Sequence, residues 1–305
     1  MPRIPSSEQR ALRFSIAASV VFAAISFVLG ILFRSQVILF DGLYSLIYVI
    51  LSWSTLIALK FMRRNDWETF PFGKYTIEPL VVTIRYIALL ALILASLVSA
   101  IIALFQDGRD IVVDGGLAYA VFATLYCLIM VWDMRRRNAV LNSSFVRAEI
   151  NEWYLDTIVS AGVVVGFAIA FAMARFAPLA EWVRYVDPIM MIALSIYFFK
   201  WPVREIRTSL REVLSMKPEG KLAEEIESVI KSIEQRYRMQ ESITRVSRVS
   251  ETVWIEVDFV VTEASGIERI DDQDRIREEI MELIPVDRTQ VWLSVGFTKD
   301  RKWAV

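Results

Sequence analysis

Six apolar stretches, at residues 12–33, 37–61, 78–105, 115–134, 146–175 and 186–202, dominate this 305-residue chain. Each offers the roughly 20 apolar residues that a helix needs to cross the hydrocarbon core of a bilayer. In lipid a helix is one of only two ways to satisfy every backbone N–H and C=O. Apolar residues make up 55% of the chain, above the ~45–50% of ordinary soluble domains, and the excess lies in these stretches. The reading is an α-helical membrane protein with six transmembrane helices over residues 1–203, a helical neck over 204–217, and a second domain over 218–305.

The basic residues give an orientation. One side collects Arg3, Arg10, Arg13, Lys60, Arg63, Arg64, Lys74, Arg135, Arg136, Arg137 and Arg147, then Lys200, Arg204, Arg207 and Arg211. The other collects Arg34, Arg109, Arg175 and Arg184. The richer side is expected to be cytoplasmic, which puts both termini there, in agreement with an even number of spans. The first apolar run is longer than a signal-peptide core and lacks a small-residue cleavage site, so it reads as a first span. Short loops and the missing leader point to a bacterial inner (plasma) membrane.

Past the last span the pattern changes. Pro218 and Gly220 punctuate the chain. Residues 221–237 and 270–283 show helical periodicity with charged faces, and Pro285 ends the second of these helices. Residues 252–262 and 290–297 alternate apolar and polar as half-buried strands do, and 243–249 is a weaker strand. The order α-β-β-α-β predicts a cytoplasmic α/β domain of ferredoxin-like type.

What is missing narrows the chemistry. The chain has no histidine and one cysteine, Cys127. Imidazole ligands, imidazole proton carriers and cysteine zinc knuckles are therefore excluded within it. Cys127 lies in an apolar stretch and reads as a small buried hydrophobe. A net charge of −1 gives no general attraction to nucleic acid. No glycine-rich phosphate loop is present, and no Ser or Cys nucleophile sits beside a base, so an enzyme is not expected.

Charged groups inside hydrocarbon are costly and mark sites or water-filled paths. The second span carries Asp41, Tyr44, Ser45 and Tyr48, and the fifth carries Glu149, Asn151, Glu152 and Asp156. Positions 41, 44 and 48, and likewise 149, 152 and 156, are spaced i, i+3, i+7, so each trio lies along one helix face. Two such faces turned together would make a cluster of carboxylates and phenols.

These phrases resemble the cation diffusion facilitator family. The second-span pattern A-D-x-x-H/D-S-x-x-D is similar to Phe40-Asp41-Gly42-Leu43-Tyr44-Ser45-Leu46-Ile47-Tyr48, with tyrosine at both ligand positions. The fifth-span pattern A-D-x-x-H-x-x-x-D is similar to residues 148–156, with Glu152 in place of histidine and Asp156 kept. Pro71-Phe72-Gly73, Glu78-Pro79-Leu80, Asp187-Pro188 and the neck phrase 209–214 resemble further family phrases, so the likeness runs from about residue 10 to 298. The resemblance implies a homodimer that exports divalent metal from the cytoplasm in exchange for protons, without a resident cofactor. The chain reads as an atypical member that lacks the histidine and most of the aspartate ligands.

The donors that remain are all oxygen. Glu152 and Asp156 are the expected metal ligands; Glu149, Asp41, Tyr44 and Tyr48 are further cation-binding or proton-coupling candidates. Such a set favours a hard cation such as magnesium or manganese, or a monovalent ion, with iron and zinc kept as candidates. Asp41 and Glu149 read either as entry-path residues or as hydrogen-bonding partners, and the two tyrosines either as ligands or as packing. Carboxylates can hold a cation or protons, and that competition suffices to couple two flows. Arg85 in the third span either snorkels to the cytoplasmic face or acts as an internal counter-ion to an acid of spans two or five. The latter favours a second function, a transport-inactive relative serving as partner, scaffold or regulatory subunit, for example in a heterodimer with an intact family member. Phe70 and Lys74 occupy the loop where family metal sites rely on histidine, so no loop site is expected.

Overall fold

A computed structural model describes residues 6–62, 66, 68–141, 144–250 and 252–304. The chain divides into two compact units, one of residues 1–54 and 85–203, the other of 55–84 and 204–305.

The first unit is built on long helices: α1 (Ser6–Leu32), α2 (Gln36–Met62), α3 (Ile77–Phe105), α4 (Val113–Leu141), α5 (Ser144–Arg175) and α6 (Val186–Val213). Among the described residues five stretches are long and apolar enough to cross a membrane, at Arg13–Leu32, Ile77–Phe105, Val113–Leu141, Glu149–Arg175 and Ala180–Val213. In α2 the apolar stretch among described residues is Gln36–Ile47. The chain is thus an integral, multi-pass membrane protein.

Its core explains the intimacy of α1, α4 and α5. Phe22 of α1 stacks on Tyr126 of α4 at 5.5 Å and meets Trp153 of α5 edge-on at 6.3 Å. The Tyr126 hydroxyl donates to the Ala18 carbonyl at 2.9 Å. Cys127 is buried and free. On the other flank, α1 and α2 meet backbone to backbone. A Cβ on Gly30 would lie 2.6 Å from Leu39 Cα, and one on Gly42 would lie 2.5 Å from Phe27 N. Small residues permit this kind of approach in membranes. Because the obstacle at Gly42 is backbone, no rotamer change relieves it. Gly42→Ala should therefore destabilise the protein by about 1–3 kcal/mol, read as a lowered thermal midpoint in detergent.

The α2 N-terminus is capped from far along the chain. Asp187, in the first turn of α6 and fully buried, accepts from Ser35 Oγ at 2.6 Å, Gln36 N at 3.1 Å and Val37 N at 3.3 Å. Arg109 pairs with the same carboxylate at 3.3 Å and also donates to Gln36 Oε1 at 2.6 Å.

In the second unit the order α7 (Leu222–Arg236), β1 (Glu241–Val249), β2 (Thr252–Val260), α8 (Ile270–Leu283), β3 (Val291–Thr298) gives a three-stranded sheet in the order β1-β2-β3. β1 and β2 are an antiparallel hairpin, and β3 joins β2 in parallel after the α8 crossover. Ile226, Ile230 and Ile233 of α7, and Ile276 and Ile280 of α8, present one face each to Ile255, Val257 and Phe259. The opposite sheet face carries Trp254 stacked on its register partner Trp292 at 4.9 Å.

Candidate functional site

α2, α4, α5 and α6 enclose a small chamber inside the first unit. Its polar lining is Asp41 and Tyr44 from α2, Tyr119 from α4, and Asp156 and Ser160 from α5; Ile38, Phe40, Val163, Leu194 and Phe198 supply apolar wall. The cavity measures about 20 Å³, room for one water-sized guest. No basic side chain is among its lining residues.

Helical spacing explains the lining from α5. Asp156, Ser160 and Val163 follow one another at i, i+4, i+7 and so share a face. Asp156 lies in the electrostatic reach of both Asp41 and Glu152. Asp41 Oδ2 accepts a hydrogen bond from the Tyr119 hydroxyl at 2.7 Å, and the same hydroxyl meets Ser26 Oγ of α1 at 2.6 Å. Ser26 in turn donates to the Phe22 carbonyl at 2.8 Å.

The remaining sequence-derived residues separate into distinct settings. Glu152 lies within reach of the charges of Arg85 and Glu149. The Arg85 guanidinium also lies 5.8 Å from the centre of the Tyr86 ring. Glu149 is drawn toward α1, where Ser15 Oγ donates to its Oε2 at 2.5 Å and the Trp153 indole N–H donates to Ser15 Oγ at 2.8 Å. The Tyr44 ring packs between Phe40 at 6.2 Å and Phe198 at 5.5 Å. The side chain of Tyr48 lies outside the described residues. Among the described residues, no group of three or more Asp, Glu, Cys and His side chains is gathered closely enough to hold a metal ion.

Tyr119, Ser26 and Ser160 had no motif to announce them. They are ordinary residues of apolar helices, and only their convergence makes them part of the site. In the second unit, Lys74 is all but buried, its ammonium 4.2 Å from the Phe61 ring centre and 4.8 Å from that of Phe70. This is cation–π packing of a loop lysine. Glu78 accepts from Ser250 Oγ at 2.5 Å.

Asp41, Tyr44, Tyr119, Asp156 and Ser160 thus share one chamber inside a multi-pass helical bundle, the class of an integral membrane protein. The cation efflux transmembrane domain matches residues 12–214, and the chain belongs to that family. It is accordingly a cation transporter of the cation diffusion facilitator type. Over 275 residues it is 26% identical to the manganese efflux system protein MneS of Bacillus subtilis (strain 168), a match covering 87% of this chain and 89% of the relative. Over 288 residues it is 24% identical to the uncharacterized transporter YdbO of the same bacterium, with the same coverage.

Proposed function

We propose that the protein exports a hard divalent cation, manganese first, in exchange for protons through an all-oxygen site centred on Asp156 and Asp41. The observation that carries this reading is the shared chamber: two carboxylates and three hydroxyls, from Tyr44, Tyr119 and Ser160, line a space of ion size. Such oxygen donors suit manganese or magnesium better than zinc. The name of the MneS relative points the same way. Glu152 and Glu149, nearer the start of α5, serve as relay or entry groups.

In this reading α2 is a sixth span, both termini are cytoplasmic, and the membrane is a bacterial plasma membrane. Residues 1–203 form the transmembrane domain, 204–217 the neck, and 218–305 a cytoplasmic ferredoxin-like domain. The working form is a homodimer.

The test is flux into proteoliposomes under an imposed proton gradient, with manganese, magnesium, iron, zinc and sodium compared side by side. Manganese flux that dissipates the gradient is the expected result. Flux of sodium alone would overturn the substrate class.

Arg85 beside Glu152 favours a second reading, because a tethered guanidinium can stand where a cation would otherwise neutralise the acid. The protein would then be a transport-inactive partner, scaffold or regulatory subunit. Folded, dimeric protein that passes none of the five ions would decide for it.

A further inference from the structure

We propose that Tyr119 is a positioning residue of this site: its phenol ties one oxygen of Asp41 and leaves the other for the cation, making Asp41 the α2 donor in place of Tyr44 and Tyr48. The proposal rests on the transport reading above and adds to it a residue on a helix that no motif marked.

The geometry carries it. Tyr119 is 3% exposed, and its hydroxyl stands between Asp41 Oδ2 at 2.7 Å and Ser26 Oγ at 2.6 Å. A phenol has one hydrogen to give, and an ionised carboxylate is the stronger acceptor. Ser26, itself fully buried, stands 2.6 Å from the phenol oxygen on the α1 side; with the phenol hydrogen on Asp41, the Ser26 hydrogen turns from the Phe22 carbonyl to the phenol oxygen. The Asp41 carboxylate is therefore held by a chain of oxygens running from α1 through α4, and a rigid donor loses little freedom when it binds a cation.

Tyr44 is differently placed. Its ring packs between Phe40 and Phe198. Asp41, one turn before it, shares the chamber with Asp156. The α2 contribution has thus shifted by one turn, from the tyrosine positions to an aspartate, and Tyr119 is what holds that aspartate in place.

The experiment measures manganese binding to the full-length protein in detergent by titration calorimetry, alongside the flux assay. Tyr119→Phe keeps the ring and deletes the hydroxyl, so it should weaken manganese binding about tenfold. Ser26→Ala, which frees the phenol without touching Asp41, should weaken it less, by roughly threefold. A residue that merely braces three helices would lower the thermal midpoint and leave the Kd alone. Wild-type binding that Tyr119→Phe leaves within twofold therefore overturns the proposal while the transport reading stands. Wild-type protein that binds no manganese overturns both.

Discussion

Asp156→Asn should abolish proton-driven manganese flux, with a loss of at least about a hundredfold in proteoliposomes. Asparagine keeps the shape and hydrogen-bonding capacity of the side chain and removes only its charge. The chamber then retains one carboxylate, Asp41, among its lining residues. Removing one partner from a desolvated charge pair costs about 3–5 kcal/mol, which is more than two decades in affinity. Folding should not suffer, because asparagine keeps the size and shape of the side chain. Residual flux within threefold of wild type, from protein of unchanged thermal midpoint, would remove Asp156 from the transport site.

Asp187→Ala carries the largest expected loss of stability, about 3 kcal/mol. The carboxylate is fully buried and serves the Ser35 hydroxyl, two backbone N–H groups at the start of α2, and Arg109. Its removal strips the cap from α2 and leaves a guanidinium without its acid. Among the described residues Arg109 keeps only the neutral acceptors Gln36 Oε1 and Ser99 Oγ, which holds the loss to the low end of the range for a broken buried pair. Asp187→Asn can still accept from the backbone and should lose about half as much. Unfolding in mixed detergent micelles measures both, and the Arg109→Ala, Asp187→Ala pair should be less than additive because the residues share one network. A loss below about 1 kcal/mol for Asp187→Ala would mean that the cap is replaced by water.

Much of the architecture was legible because its signals are local. Hydropathy runs and turn residues placed the helices, and α8 occupies the span 270–283 that its periodicity and Pro285 predict. The element order of the tail followed from strand alternation, including the weak strand, which the structure extends to Glu241–Val249. Inside the first unit the i, i+3, i+7 trios were visible, but not how they meet. Asp41 opens its trio and Asp156 closes the other, yet these two share the chamber, so first pairs with last. The opposite directions of spans two and five follow from the count of spans; that these two faces meet in one chamber does not. Nor could sequence reveal the work of Asp187, whose Ser35 partner is 152 positions away. Tyr119 was silent for the same reason: a tyrosine in an apolar helix signals nothing until Asp41 and Ser26 arrive beside it.

The close approach at Gly30 and Gly42 has a mechanical meaning. Helices separated by side chains can adjust, because rotamers yield by fractions of an ångström; where backbone meets backbone, as at Gly30 and Gly42, there is no such give. Asp41 adjoins one of those contact points and Ser26 precedes the residue that Gly42 touches. α1 is thus held by α2 at these two points and by α4 and α5 through the Phe22, Tyr126 and Trp153 rings. A cysteine cross-link between α1 and α2 should be silent in the flux assay, whereas one that joins α2 to α5 should stop turnover.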